Sequence, residues 1–447
     1  MNIRYVYLFL IMSMIVSCRG GDTVSQEYKL EVLPDSCVDY KVLSIEEIES
    51  EQVANIIASS LSGGNEDIEQ AIRKSFQYRY FVSADSAGCS VNAAIPYAFK
   101  KITYAYKSTD QHGAPVTLSA VVCWERCLTD KWHDVSPNGI ALVNHFTITS
   151  DAECPSRGFP AEAFLFPRML TVLPDYIGYG ISKERQHPYL NHEVCAVNSI
   201  DALEAAKRIF EDNSDTMFKE GWGTYSFGAS QGAGNAIAVH KYMDTHNDVA
   251  EKWNFTYSDC AAGPYSPLLT MSEYISNDTT IYPVVLPMTL KSMLDSYPQT
   301  MQRWKEEDFY TTEYLRIKAS VDSMLLSKEY TTAEINKIIF EHFGGEGATM
   351  VRICDILNER ALDAESEMTK ALYDCFQRND LTKGWSPKHP IYLYHSPCDR
   401  VVPCANADAL LSSMGTELVT LNKSRQDEGH TESCVKWMLT QLKKNNK

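Results

Sequence analysis

Positive charge is scarce in this chain of 447 residues, where 41 lysines and arginines stand against 58 aspartates and glutamates, a formal net charge of −17. A surface of that sign repels phosphate backbones and anionic bilayers. Nucleic acid is therefore excluded as a partner, and a neutral or organic small molecule is favoured as substrate. Paired C-x-x-C motifs and cysteine–histidine clusters are missing too, so no zinc site is read and no metal or cofactor is expected. No internal repeat and no low-complexity tract interrupts the chain. With 44% hydrophobic residues it can bury a sizeable core, and its length exceeds that of one plain domain. One domain with a large insertion, or two domains, fits.

The first hydrophobic stretch, residues 5–16 behind Arg4, is too short to span a bilayer and has the proportions of a secretion signal. It ends in Ile15-Val16-Ser17-Cys18, which resembles a bacterial lipobox. The resemblance implies removal of residues 1–17, acylation of Cys18, and an exported protein lipid-anchored to the membrane of the bacterial cell envelope, on its periplasmic or surface face. Several acyl chains anchor firmly where one is marginal. An ordinary secretory signal with an incidental cysteine is the competing reading. Residues 18–37 then serve as a tether. The chain has 13 cysteines, and setting Cys18 aside leaves an even number, which suits disulfides in an exported protein. Cys123 with Cys127 and Cys398 with Cys404 are the local candidates, with free buried thiols as the alternative.

Ser44 and Glu47 form a capping-box pattern among Ile45, Ile48, Ile56, Ile57 and Leu61, which predicts a helix up to Gly63, with a second helix over residues 66–76. Residues 38–100 thus read as an N-terminal helical extension. Extended runs at 101–106 and 116–124, joined by a turn with Gly113 and Pro115, predict an antiparallel pair. Short apolar runs at 140–144 and 170–173 are of the kind buried on both faces of a parallel sheet. A helix over 194–210 and a strand at 253–258 continue the alternation. Residues 267–388 are mainly helical, and strand, helix, strand and helix resume at 391–395, 405–414, 418–421 and 432–442. The division predicted is a core over 101–266 and 389–447 with a helical cap, 267–388, inserted between its two parts. The alternation predicts an α/β fold with a mostly parallel central sheet flanked by helices.

Between the 194–210 helix and the 253–258 strand stands Tyr225-Ser226-Phe227-Gly228-Ala229-Ser230-Gln231-Gly232. Thr224, Tyr225 and Phe227 favour a strand; Ala236, Ile237, Val239, His240 and Met243 fall at helical spacing. A G-x-S-x-G turn between strand and helix lifts a serine hydroxyl into the open. That hydroxyl needs a base to take its proton, and the base needs a carboxylate to orient it. Asp399 follows the strand at 391–395, and His430 follows the last strand, in Asp427-Glu428-Gly429-His430. Among rivals, Asp408 falls inside a helix, Asp427 adjoins His430, His395 sits at a strand end as a loop contact, and His145 reads as a loop-shaping hydrogen-bonder.

The order Ser, Asp, His, the elbow and the insertion before the acid strand resemble the α/β-hydrolase superfamily over residues 101–447. Pro174-Asp175-Tyr176-Ile177-Gly178-Tyr179-Gly180 and His187-Pro188-Tyr189 are similar to its secreted lipase and esterase branch. The resemblance implies Ser230 as nucleophile, His430 as general base and acid, Asp399 as orienting carboxylate, and a cap lying between the sixth and seventh core strands. It also implies an oxyanion hole from the backbone N–H of Gln231 and one N–H of the loop Asn144-His145-Phe146-Thr147. Phe146 departs from the usual His-Gly there, and Thr147 is favoured as the second donor. Ester hydrolysis through an acyl-enzyme is the expected reaction. A serine peptidase, with Glu306-Glu307 holding a free amine, and an inactive lipid-anchored binding protein are the alternatives.

Overall fold

The computed structural model describes residues 40–61, 97–128, 131–425 and 428–444, together with residues 66, 69, 70 and 73. The expected leader and the whole of the expected tether, with Cys18 and Cys37, lie outside the described residues, as does Cys89. In chain order the first half comprises β1 (Tyr40–Glu49), α1 (Ser50–Leu61), β2 (Tyr97–Thr109), β3 (Pro115–Leu128), β4 (Trp132–Asp134), β5 (Gly139–Asn144), β6 (Leu170–Pro174), α2 (His192–Asn213), β7 (Gly223–Ala229), α3 (Gln231–Thr245) and β8 (Phe255–Ala261). A mainly helical insertion follows, with α4 (Pro267–Asn277), β9 (Thr279–Thr280), α5 (Val285–Ser296), α6 (Thr312–Ser327), α7 (Thr332–Gly344), β10 (Val351–Arg352) and α8 (Glu367–Arg378). The chain closes with β11 (Ile391–His395), α9 (Ala405–Met414), β12 (Val419–Lys423) and α10 (His430–Lys444).

The main sheet runs β1-β2-β3-β6-β5-β7-β8-β11-β12, with β4 beside β3. From β1 to β6 the neighbours are antiparallel; from β6 to β12 they are parallel. Every residue of β5 and β6 is buried, as their short apolar runs predict. Helices on both faces seal the sheet, with Ile209 and Phe210 of α2 and Ile237 and Val239 of α3 in one core, and Trp437 and Met438 of α10 in the other. Parallel strands bring their carboxyl ends to one edge, so the loops after β5, β7, β8 and β11 gather there.

The predicted 101–106 and 116–124 pair is the β2–β3 hairpin, whose turn is closed by Asp110 accepting from the amides of His112 and Ala114 at 3.0 and 2.9 Å. The capping box at Ser44 and Glu47 is overruled. These residues are strand, paired antiparallel with β2 from Tyr40↔Tyr106 to Glu49↔Ala98, and the helix starts only at Ser50. Without β1, one side of β2 would present a row of unpaired backbone groups, a cost larger than the gain from one local cap. The extension is therefore not wholly helical. Residues 66, 69, 70 and 73 of the second predicted helix are helical.

Both local disulfide expectations fail, because Cys123 and Cys404 carry free thiols, as do Cys154, Cys195, Cys260, Cys354, Cys375 and Cys434. Cys123 and Cys127 share strand β3. Four residues of extended chain cover roughly 13 Å, whereas a disulfide spans at most about 7 Å between Cα atoms. Between Cys398 and Cys404 the chain is committed to Asp399, which holds the amides of Val401 and Val402. Among the described residues no helix is long and apolar enough to cross a membrane.

The insertion has a core of its own, built from Met293, Tyr314, Ile335, Ile353, Met368 and Phe376, and this core continues into Tyr189, Leu190, Val401 and Val402 of the sheet-edge loops. Buried Asn379, at the end of α8, ties the two parts together. Its Oδ1 accepts from the His192 amide at 3.1 Å, its carbonyl accepts from His192 Nδ1 at 2.8 Å, and its Nδ2 donates to the Tyr297 hydroxyl at 2.8 Å. Asn379→Ala leaves buried donors and acceptors unmet and is expected to lower stability by about 1–3 kcal/mol. Urea unfolding with an unchanged midpoint would show that this tie carries nothing.

Candidate active site

Ser230 joins β7 to α3 with φ 55° and ψ −126°, a region a serine enters only when its surroundings force it. The forcing is visible on both sides. A Cβ on Gly228 would lie 2.1 Å from the Gly232 carbonyl oxygen, and one on Gly232 would lie 2.0 Å from that of Asn144. Strand β7, the first turn of α3 and the end of β5 thus touch backbone to backbone, which explains both glycines of the motif. The Ser230 amide donates to the Ala261 carbonyl at 2.9 Å, fixing the elbow from the β8 side.

His430 stands at the start of α10, after β12. Its Nδ1–H donates to Asp399 Oδ2 at 2.6 Å, which leaves Nε2 to accept from the Ser230 hydroxyl at 2.9 Å. Asp399 is buried. Its Oδ1 accepts from the amides of Val401 and Val402, both at 2.8 Å, and His395 Nε2 lies 3.3 Å from its Oδ2. Burial by itself would raise the carboxyl pKa, but the charge of His430 and hydrogen bonds from His395 and His430 hold it well below the ordinary carboxylate range. The structure thus brings together Ser230, Asp399 and His430. His395, fully buried, also donates to the Val402 carbonyl at 2.9 Å, so it braces the Asp399 loop.

The Gln231 amide opens α3, at the positive end of the helix dipole and next to the Ser230 hydroxyl. Its side chain donates to His187 Nε2 at 2.9 Å, while His187 Nδ1 donates to the Ile177 carbonyl at 2.8 Å. Burial lowers the His187 pKa to about 3, so the ring is neutral. Phe146 and Thr147, on the loop after β5, border the same cavity as Ser230, and the Thr147 hydroxyl lies 3.3 Å from that of Tyr189. His145 shapes the loop: it stacks on Tyr176 at 4.0 Å, its Nδ1 donates to the Phe146 carbonyl at 2.7 Å, and burial lowers its pKa to about 4. Asp175 accepts from the Ser119 hydroxyl and the Ser156 amide and is likewise a brace.

Ser230 and His430 open into a cavity of about 140 Å³ beneath the insertion. Tyr282, Val285, Leu286 and Leu290 line it, as does Met271, so its wall is largely apolar. Val284, Met288, Met293 and Trp304, equally apolar in sequence, pack within the insertion instead. Glu306 and Glu307 do not line the cavity; they pair with Lys291 and Lys318 at 2.7 and 3.1 Å. Glu153 is a lining residue that the sequence reading passed over. Ser150-x-x-Glu153 spells a capping box, a legible signal for the turn, but one without information about what the turn faces.

No protein-family model matches this chain, and no curated protein matches it. Solved structures do. A ligand-bound form of the rice cell wall degrading esterase LipA from Xanthomonas oryzae superposes with a TM-score of 0.62 at 17% identity, covering 91% of this chain and 96% of that one. A structure from Legionella pneumophila, provisionally described as a hydrolase, superposes with a TM-score of 0.65 at 17% identity, with the same coverage of each chain. The fold is that of the α/β-hydrolases, a mostly parallel central sheet flanked by helices.

Two consequences can be measured. Gly232→Ala must push the Asn144 carbonyl aside; a destabilisation of about 1–3 kcal/mol is expected, with kcat for any Ser230-dependent reaction falling more than KM rises. An alanine variant as stable and active as the parent would contradict the close approach. Because the folded Asp399 carboxyl titrates low, the stability it lends is complete above about pH 4 and is lost as pH falls through the folded value. The gap in urea midpoint between the parent and Asp399→Asn is therefore expected to be wide at neutral pH and to close below about pH 4. A gap independent of pH would count against the assignment.

Proposed function

We propose that this protein is a serine hydrolase that cleaves carboxylic esters. The observation that carries the reading is the hydrogen-bonded chain from Asp399 through His430 to Ser230, ending at the mouth of a largely apolar cavity. In the proposed mechanism Ser230 Oγ attacks the ester carbonyl while His430 Nε2 takes its proton. Asp399, kept ionised, stabilises the imidazolium and holds its tautomer. The oxyanion is received by the Gln231 amide and by the Thr147 amide. His430 then protonates the departing alkoxide, and water repeats the sequence on the acyl-enzyme. No step calls for a metal or cofactor.

The insertion, residues 267–388, acts in this reading as the cap over the acyl site. The pairing of Glu306 and Glu307 with lysines leaves neither as a ready anchor for a peptide's amino group, which favours esters over peptides. Acylation at Cys18 would place the enzyme on a membrane of the cell envelope, where ester and lipid substrates reach it as small molecules.

Ser230→Ala is expected to reduce ester turnover by about 10³–10⁶-fold and to abolish labelling by a fluorophosphonate probe. Chromogenic esters of graded acyl length, run beside aminoacyl anilides, test the bond class. Strong anilide turnover with negligible ester turnover would replace esterase by peptidase, and absence of probe labelling in the parent would remove the enzyme reading.

A further inference from the structure

We propose that Glu153 selects the acyl group, giving the cavity a hydrogen-bonding anchor that favours acyl chains bearing a hydroxyl over plain alkyl chains. The inference rests on the ester-hydrolase reading and deepens it. An acyl-enzyme on Ser230 keeps its acyl part while the alcohol departs, so the largely apolar cavity beside Ser230 suits the acyl chain. Glu153 is the only carboxylate among the described residues that line that cavity, and most of its neighbours there are apolar.

The carboxylate is held in place rather than free to swing away. Glu153 Oε2 accepts from the amides of Ser150 and Thr149 at 3.1 and 3.4 Å, closing its own short turn. The turn is in turn fixed to the cap: the Asp151 amide donates to the Lys328 carbonyl, and the Thr149 hydroxyl to that of Tyr330, both at 2.7 Å. Glu153 Oε1 makes no hydrogen bond among the described residues. A carboxylate oxygen left open in an apolar wall gains most from a donor brought by the ligand. A hydroxyl supplies that donor while desolvating no second charge, whereas an ammonium group would have to shed its own hydration to enter an apolar cavity. The acyl hydroxyl is therefore the better match.

The charged and titratable groups facing Glu153 give the selectivity a pH dependence. Glu334 faces it from the cap, Tyr282 from the cap wall and Tyr179 from the loop after β6; Asp151 shares its turn, the Lys328 ammonium sits over the Tyr179 ring at 4.8 Å, and His430 lies in the same cavity. Burial foremost, with the charge of Glu334, raises the Glu153 pKa to about 7 against the pull of the Ser150 and Thr149 amides. Below neutrality the carboxyl is protonated and tolerates an alkyl chain; above it the carboxylate penalises alkyl and binds hydroxyl more strongly.

The test uses the full chain, Glu153→Gln, and chromogenic esters of octanoate and its terminal and penultimate hydroxy derivatives, from about pH 6 to about pH 8. Glutamine keeps an oxygen for the two amides and cannot ionise. For the parent, the ratio of kcat/KM for the preferred hydroxy ester to that for octanoate is expected to rise roughly tenfold across the range, mainly through KM. In Glu153→Gln the ratio is expected to be lower and flat with pH. The parent series alone decides the pH claim should the variant fail to fold. Octanoate turned over as well as every hydroxy ester at all pH values, or a ratio identical in parent and variant, overturns the assignment of Glu153 while leaving the esterase reading standing. No turnover of any ester, short acetates included, removes both.

Discussion

The backbone-to-backbone approach of β7, α3 and the end of β5 is the constraint on which the rest of this structure depends. Gly228 meets the Gly232 carbonyl and Gly232 meets Asn144, at separations that leave no space for a side chain. This contact holds Ser230 at positive φ, aims the first turn of α3 at the sheet edge, and places the loop bearing Phe146 and Thr147 beside it. Strain at one residue is tolerable because three elements converge on it, and each is fixed by the buried parallel sheet beneath. The Ser230 hydroxyl and the amides beside it are set by one packing event.

A second economy lies in the Asp399 loop. The same two residues, Val401 and Val402, donate backbone amides to Asp399 and bury their side chains in the cap's core. The packing of the insertion and the placement of the carboxylate are thereby joined through the same two residues. His395 reinforces the joint by reaching both the Val402 carbonyl and Asp399. On the opposite rim, the Thr149–Glu153 turn is bound to Lys328 and Tyr330 of the cap. The cavity is walled by core and cap together.

Local signals carried much of the fold. Short apolar runs marked β5 and β6 because both faces of a parallel strand are buried, and the switch from extended to helical spacing around Ser230 marked the elbow. The order of Ser230, Asp399 and His430 was legible because each follows a strand, and parallel strands deliver their ends to one edge. Where a long-range partner competed with a local preference, the local reading failed. The Ser44–Glu47 box yielded to pairing with β2, and the proximity of Cys123 to Cys127 in sequence became a separation along one extended strand.

By itself, then, the sequence determined the alternation of strands and helices, the strained serine turn with its two glycines, and the residue types able to supply an acid and a base. These depend on periodicity, backbone freedom and chemistry within a few residues of one another. Only the tertiary structure decided which histidine meets Asp399 through Nδ1 and Ser230 through Nε2, which apolar cap residues face a cavity and which face each other, and that Glu153 looks into that cavity. Those are distances between groups far apart along the chain, and they are set by how the cap and the sheet pack, which no local pattern encodes.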